Sequence, residues 1–215
     1  MNPVYFLGWS FYRITYATYF RRKIYHAKRV PLKGPVILAA NHASFLDPPL
    51  IGSSLNRTVN YMARKSLFRY PGIGWVLRTV QAVPVDRDGG GASGLRAIMD
   101  RLEAGGAIVL FPEGTRTRDG KLQPARSGIG LTVIKSQAPV VPIRIFGTYE
   151  ASGRNVRFPK PRPHKLAIKF GQPMDFAGKR AEARNCSKER LRQIYQEVAD
   201  EIMAAIAALE PGRDD

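Results

Sequence analysis

Cysteine is nearly missing from this chain, since Cys186 is the only one among 215 residues. A lone cysteine cannot form an internal disulfide, and it excludes a metal site built from several thiolates. The chain also lacks an uninterrupted apolar run of about 20 residues, the length that a membrane-spanning helix needs. We expect no secretory leader, because a charged segment before the first apolar residues and a small-residue cleavage site are both missing.

Acidic residues are also scarce relative to basic ones. The chain has 17 Asp and Glu against 34 Lys and Arg, which gives a formal net charge of +17. Such a surplus favours anionic partners, among them nucleic acid, anionic lipid and phosphorylated substrates, and charge alone does not choose among them. The hydrophobic content of 44% is enough for a packed core, and the length fits one domain.

Aromatic residues, in contrast, are concentrated at the N-terminus. Residues 4–20 hold eight of the 21 aromatic side chains, and Arg21, Arg22 and Lys23 follow them. The run is short for a spanning helix and contains Arg13, so we expect a helix lying in the membrane interface beside an anionic surface. The alternative is an aromatic helix packed on the core.

This N-terminal composition leads to a prediction for domains and location. We expect residues 1–29 to form a membrane-associating helix and residues 30–215 to form a single domain. The protein would then be monotopic, on the cytoplasmic face of the inner or plasma membrane.

Short apolar runs alternate with helical patterns through the rest of the chain. This order predicts an α/β fold with a mixed, largely parallel sheet flanked by helices. The predicted strands are 36–40, 59–63, 82–85, 107–111, 140–145 and 166–170, and the predicted helices are 48–55, 93–103, 129–137 and a stripe over 191–209. Pro84 and Pro142 indicate edges or irregular pairing, and residues 148–165 read as an exposed loop.

The first candidate for chemistry lies where the apolar run 36–40 ends. Residues 41–48 read NHASFLDP, so Asp47 can cap a helix that has proline in its first turn. If the loop folds His42 back onto Asp47, one ring nitrogen is held and the other can act as a general base. Either residue alone more commonly serves only its loop or its helix cap.

The second candidate is the segment FPEGTR at residues 111–116, which follows the next strongly apolar run. It should reach the same edge of the sheet as His42. Arg116 can bind a phosphate through two donors. Gly114 allows a tight turn or a close approach of ligand to backbone, and Glu113 can orient a hydroxyl or a basic side chain. Turn chemistry alone would also explain this segment.

Together these segments resemble the glycerolipid acyltransferase family, in particular its lysophosphatidic acid acyltransferases. The family's signatures are Asn-His, four residues, then Asp, and a Phe-Pro-Glu-Gly-Thr-Arg block, and both stand here intact and in order. Residues 83–87 (VPVDR) and 140–143 (VVPI) resemble the family's second and fourth blocks. The resemblance spans roughly residues 30 to 150.

The resemblance implies a reaction. His42 would take the proton from the free hydroxyl of a lysophospholipid while Asp47 orients it, and the oxygen would attack an acyl thioester supplied as acyl-CoA or acyl-carrier protein. The expected acceptor is 1-acyl-sn-glycerol 3-phosphate, which gives phosphatidic acid; glycerol 3-phosphate and other lyso-lipids are alternatives. No metal or other cofactor is expected. The substrate-binding residues that it implies are Asn41, Arg87, Glu113, Gly114, Thr115, Arg116 and Arg126.

One segment departs from the family's pattern. Residues 123–128 read QPARSG, where many relatives have Pro-Phe-Lys, any residue, then Gly. Ala125 and Arg126 thus replace Phe and Lys. Arginine keeps the charge, whereas loss of the ring changes that part of the pocket and leaves the preferred acceptor open.

Three other classes of protein compete with this interpretation. Gly89, Gly91 and Gly94 form a Gly-x-Gly-x-x-Gly pattern, but the preceding segment contains Pro84 and ends in charged residues, unlike the buried first strand of a dinucleotide-binding fold. A nucleic-acid-binding protein would suit the charge, yet no zinc-finger or RNA-binding signature occurs, and we expect no nucleic acid partner. A nucleophilic hydrolase lacks its Gly-x-Ser-x-Gly elbow, and Ser44 is only two residues after His42.

Overall fold

The computed structural model describes residues 3–85, 92–153 and 165–212. Within them, seven strands form one sheet: β1 (Lys23–Tyr25), β2 (Val36–Ala40), β3 (Val59–Arg64), β4 (Ala82–Val85), β5 (Ala107–Leu110), β6 (Val140–Phe146) and β7 (Ala167–Phe170). The strand order is β1-β7-β6-β2-β5-β3-β4. Neighbouring strands pair in parallel except for β6 and β7, which are antiparallel. The predicted mixed, largely parallel sheet is confirmed.

Helices cover both faces of this sheet. They are α1 (Pro3–Thr18), α2 (Asp47–Ser54), α3 (Pro71–Thr79), α4 (Ala92–Glu103), α5 (Ser127–Lys135), α6 (Thr148–Ser152), α7 (Ala177–Arg184) and α8 (Lys188–Ala208). Short 3-10 helices occupy Ala27–Arg29 and Lys65–Arg69. The sequence predicts five of these helices, namely α1, α2, α4, α5 and α8, but not α3, α6, α7, β1 or the two 3-10 helices.

The central strand β2 divides the core into two layers. All five of its residues are buried, as expected for a parallel strand covered on both faces. Successive side chains point to opposite faces, so Val36, Leu38 and Ala40 join the layer under α1 and α2. Ile37 and Ala39 join the layer under α4, α5 and α8. Burial on both faces therefore fixes the strand whose end carries the first motif.

The two strand prolines lie where pairing is interrupted. Pro84 is in β4, the edge strand of the sheet. Pro142 is in the interior strand β6, where the regular ladder with β7 ends at Ile143 and the next bridge, Val140–Met174, is shifted by one residue. The predicted edge and the predicted irregular pairing are both confirmed. The predicted exposed loop 148–165 is wrong at its start, because α6 forms there and buries Thr148 and Ala151; residues 154–164 lie outside the described part.

The N-terminal helix α1 packs on α2 with one face only. Tyr5 and Tyr16 are buried, the Trp9 indole donates to the Leu55 carbonyl at 2.8 Å, and the Tyr16 hydroxyl donates to the Leu46 carbonyl at 2.9 Å. Large apolar side chains elsewhere on this segment are exposed, namely Val4, Phe6, Leu7, Phe11, Tyr12, Ile14 and Tyr19. Among the described residues, no helix is long and apolar enough to cross a membrane.

The predicted division into residues 1–29 and 30–215 stays a prediction. The N-terminal segment is closely joined to the rest, since β1 pairs with β7 and α1 packs on α2.

Candidate active site

The loop between β2 and α2 brings His42 and Asp47 together. Asp47 is fully buried, and its Oδ2 atom lies 2.9 Å from His42 Nδ1. The same oxygen accepts hydrogen bonds from the Ala43 and Ser44 amides, each at 2.7 Å. Asp47 therefore holds the loop and the imidazole at once. The approach of His42 to Asp47 is the one that the sequence allowed, whereas the predicted helix cap at Asp47 is wrong, because Leu46 is the N-cap of α2.

The imidazole of His42 is held by a second contact. Its ring stacks on the Phe111 ring, with the ring centroids 3.8 Å apart and the planes inclined by 15°. The His42 side chain retains 17% exposure, against 0% for Asp47. When Nδ1–H donates to a carboxylate, Nε2 carries the lone pair. The pair can thus present a base at a partly open position.

Glu113 fastens the second motif to the first. It is buried, and its carboxylate accepts from the His42 amide at 3.3 Å and from the Gln123 amide at 3.4 Å. Burial raises the pKa of Glu113 to about 7, although these two amides and Arg144 lower it and Asp47 raises it. The Thr117 amide also donates to the His42 carbonyl at 2.9 Å. The backbone of His42 is therefore held on both sides.

Gly114 and Arg126 approach closely beside this carboxylate. Gly114 has φ +71°, and a Cβ there would lie 2.9 Å from Arg126 Cδ. The Arg126 amide donates to the Pro112 carbonyl at 2.9 Å, while its side chain is exposed. The backbone conformation therefore favours glycine, whereas the close contact could be relieved by a shift of the exposed Arg126 side chain.

Arg116 contacts the loop formed by residues 41–46, which joins β2 to α2. Its guanidinium carbon is 3.6 Å from the centroid of the Phe45 ring, in a cation–π arrangement. Phe45 stands between His42 and Asp47 in the sequence and is 74% exposed. Thr115, which precedes Arg116 in the sequence, is half-buried. Arg87, the remaining predicted phosphate ligand, lies outside the described residues.

Asn41 has a structural position that the sequence did not indicate. Its side-chain amide donates to the Ile145 carbonyl at 3.1 Å and accepts from the Ile145 amide at 2.7 Å. This two-way bond ties the end of β2 to β6 and fixes where the His42 loop begins. A substrate contact by Asn41 stays a prediction.

Arg144 of β6 is a charged residue near the site that sequence reasoning missed. It is half-buried, and its charge interacts with that of Glu113. Burial lowers the pKa of Arg144, and Glu113 raises it. Together with Asn41 it lines a cavity of about 280 Å³ at the end of β6. The available signal was an arginine inside an otherwise apolar run.

An apolar groove borders the same loop at Leu46. It has a volume of about 590 Å³. Its lining comes from the C-terminal half of α1, the turn that follows, and one residue of the loop: Tyr12, Ile14, Thr15, Tyr16, Thr18, Tyr19, Phe20 and Leu46. The groove thus reaches the residue that precedes Asp47.

The competing classes find less support in the structure. Ser44 is fully buried, and its hydroxyl donates to the Ser152 carbonyl at 2.6 Å, which is unlike a nucleophile. Gly89 and Gly91 lie outside the described residues, and Gly94 is inside α4. The part of the chain that the structure describes contains no group of three or more His, Cys, Asp or Glu suited to hold a metal ion.

The comparisons with known proteins agree with the two motifs. Residues 21–146 match the profile of the family described as Acyltransferase, and the chain belongs to this family. The prediction from the motifs is thereby confirmed.

Two similar proteins carry the name of the same enzyme. The chain is 31% identical over 159 residues to a 1-acyl-sn-glycerol-3-phosphate acyltransferase of Bacillus subtilis, covering 72% of this chain and 76% of that protein. It is 34% identical over 116 residues to the chloroplastic 1-acyl-sn-glycerol-3-phosphate acyltransferase BAT2 of Brassica napus, covering 53% of this chain and 33% of the relative. The chain therefore spans only about a third of that plant protein.

A solved structure shares the fold. The crystal structure of the 1-acyl-sn-glycerophosphate (LPA) acyltransferase PlsC from Thermotoga maritima superposes with a TM-score of 0.71 at 25% sequence identity. The match covers 96% of this chain and 80% of that one.

Proposed function

We propose that this protein transfers a fatty acyl chain from a thioester to the free hydroxyl of 1-acyl-sn-glycerol 3-phosphate, which yields phosphatidic acid. The observation that carries the proposal is the hydrogen bond between His42 and the buried carboxylate of Asp47, in the loop that follows the fully buried strand β2. The relatives in Bacillus and Brassica named for this reaction support the same acceptor. Acyl-CoA and acyl-carrier protein are both donors of the required chemistry.

The proton moves first onto His42. Nε2 accepts the hydroxyl proton of the lysophospholipid, and the Asp47 carboxylate 2.9 Å from Nδ1 stabilises the resulting imidazolium. The acceptor oxygen attacks the thioester carbonyl, the tetrahedral intermediate collapses, and the carbon–sulfur bond breaks. The imidazolium then returns its proton to the departing thiolate, so His42 is restored and no acyl-enzyme forms.

Cations beside the second motif hold the acceptor's phosphate in this proposal. Arg116 and Arg126 both stand near Gly114, and the glycine leaves the backbone open to a close approach. Arginine suits a phosphate because its planar fork offers paired donors. We assign the same role to Arg87, because it ends the segment 83–87 that resembles the family's second block. Glu113, Gly114 and Thr115 would position the glycerol part.

The lipid acceptor also requires a membrane surface, and α1 is the segment that we propose to provide it. Its exposed apolar side chains stand opposite the face that packs on α2. Aromatic rings favour the headgroup layer, and the cations Arg21 and Lys23 that follow can meet anionic lipid. The apolar groove beside Leu46 would accommodate lipid or acyl chain near the catalytic loop.

The test is acyl transfer by the purified protein in mixed micelles. Labelled acyl-CoA and acyl-carrier protein are each offered with a panel of lyso-lipids. We expect product with 1-acyl-sn-glycerol 3-phosphate and a loss of about 10³-fold or more in kcat for His42→Ala, because the general base is gone. Asp47→Asn should lower kcat by a similar factor, since it disturbs the tautomer of His42.

The controls are folding and location. Circular dichroism and thermal unfolding should show His42→Ala folded, because only its imidazole contacts are removed. Leu32→Ser, a change at an exposed side chain that precedes β2 at the amino end of the strands, should leave kcat unchanged. Wild-type turnover by folded His42→Ala would overturn the assignment.

A further inference from the structure

A second apolar surface stands apart from α1. The segment 65–79, which comprises the 3-10 helix Lys65–Arg69 and α3, exposes large apolar side chains within nine residues of sequence: Leu67 (37%), Tyr70 (61%), Ile73 (49%) and Trp75 (57%). Single exposed apolar residues need no explanation, but a concentration of this kind marks an interaction surface. Two of the four are the aromatic types enriched at membrane interfaces.

The charged residues of segment 65–79 are all basic. Lys65, Arg69 and Arg78 are exposed in segment 65–79, and none of them forms an ion pair with the residues that the structure describes. Residues 1–85 contain 12 Lys and Arg but only one acidic residue, Asp47, which is fully buried. Aromatic and aliphatic side chains beside unpaired cations complement an anionic bilayer.

Segment 65–79 lies at the same end of the sheet as His42. β2, β3 and β5 are parallel, and the 3-10 helix begins directly after Arg64 at the carboxyl end of β3. His42 follows the same end of β2. The exposed Phe45 and the end of α1, through the Tyr16–Leu46 hydrogen bond, also lie at this edge. Several exposed apolar side chains thus lie near the carboxyl ends of the strands, where the candidate active site is.

We propose that segment 65–79 is a second membrane contact, distinct from α1, that binds an anionic bilayer surface. Tyr70, Ile73 and Trp75 enter the boundary between headgroups and acyl chains, while the three cations of the segment contact anionic headgroups. Two separated contacts would fix the orientation of the protein and turn the His42 edge toward the lipid. This inference goes beyond the proposed function, which assigns membrane contact to α1 alone.

Tryptophan fluorescence tests the proposal directly. The chain has two tryptophans, Trp9 on α1 and Trp75 on α3, so Trp9→Phe leaves Trp75 as the sole emitter. Vesicles containing phosphatidylglycerol should shift its emission to the blue, and lipids brominated on their acyl chains should quench it. If Trp75 stays open to iodide quenching while co-sedimentation shows the protein bound, the proposal is overturned.

Affinity measurements provide a matched second test. Ile73→Ser with Trp75→Ser should weaken co-sedimentation with these vesicles by about tenfold, because two inserted side chains are lost. Leu32→Ser should change it by less than about twofold, since Leu32 is 70% exposed but precedes β2 at the opposite edge of the sheet. Equal losses in the two variants would contradict a specific contact.

The same experiments distinguish membrane binding from self-association of the chain, and they do not depend on the proposed reaction. A blue shift that appears without vesicles and grows with protein concentration would assign the surface to a second copy of the chain and overturn the membrane contact. The fluorescence tests need no turnover, and we expect the same shift in a variant that also carries His42→Ala. Failure of acyl transfer with retained insertion of Trp75 would count against the proposed reaction alone.

Discussion

At the scale of single residues, one oxygen atom of Asp47 accepts three hydrogen bonds, from His42 Nδ1 and from two backbone amides. Such a carboxylate can fix both the loop and the orientation of the imidazole. The sequence indicated the pair through its spacing, but it did not indicate the stacking on Phe111 or the approach of Arg144 to Glu113. These contacts depend on neighbouring strands, so no local pattern reveals them.

Glu113 gives a prediction for stability against pH. Its pKa is raised from 4.5 to about 7 by burial. The folded state therefore binds this proton more tightly than the unfolded state, and its contribution to stability is complete below pH 4.5 and is lost as pH rises toward about 7. Relative to Glu113→Gln, the wild type should lose on the order of 2–3 kcal/mol of unfolding free energy over this window.

Urea unfolding of both proteins at several pH values measures this difference. Glutamine keeps one of the two acceptor oxygens of Glu113, and the loss of the other lowers the stability of the variant by the same amount at every pH. All other titrating groups are common to the two proteins, so they cancel in the comparison. Parallel stability curves for the two proteins would show that the Glu113 pKa is not raised.

At the scale of elements, α1 shows how one helix serves two environments. The sequence offered a choice between a membrane-surface helix and a helix packed on the core, and the structure has one packed face and one exposed face. Arg13, which counted against a spanning helix, lies toward α2 and donates to the Asn56 side chain at 3.2 Å. The contact of α1 with lipid stays a prediction.

The contact between α5 and α8 gives a prediction at this scale. A Cβ on Gly130 would lie 1.8 Å from the Tyr195 carbonyl oxygen. Gly130→Ala should therefore push the two helices apart and destabilise the fold by about 3 kcal/mol. Gly128 is in the same helix with nothing within 4 Å of its Cβ position, so Gly128→Ala should stay within about 1 kcal/mol of the wild type.

Thermal and urea unfolding of these two variants give the measurement. Helix propensity favours alanine over glycine at both positions, so similar losses in both variants would mean that the loss does not come from the close approach to α8.

At the scale of the whole molecule, charge is divided unevenly along the chain. The first 85 residues carry cations and a single buried carboxylate. The C-terminal helices instead balance their cations, as where Arg190 pairs with Glu182 at 2.6 Å and also with Glu197. Exposed pairs of this kind contribute little to stability. The uneven distribution of charge therefore affects what the surface binds, and it contributes little to the stability of the fold.

The uneven charge predicts where vesicle binding is sensitive. Lys23 and Lys28 are exposed in the N-terminal part, and Lys188 and Arg192 are exposed on α8. Reversing the first two to Glu should weaken binding to anionic vesicles by about thirtyfold or more, because each of the two lost cations contributes roughly 1 kcal/mol near the surface. Reversing the second two should change it by less than about threefold.

Co-sedimentation at low and at high salt measures both effects, and binding of the wild type should weaken as salt screens the charges. Equal losses from the two double variants would mean that binding follows the total net charge and not one side of the molecule.

The sequence by itself determined the strands of the core, the two motifs at their ends and the family to which the chain belongs, because these depend on residue order within short segments. It left open which strands are neighbours. Only the tertiary structure placed β6 and β5 on either side of β2, and so brought Arg144 and Glu113 into interaction beside His42. It also decided which aromatic residues of α1 and α3 stay exposed, since burial depends on what each helix packs against.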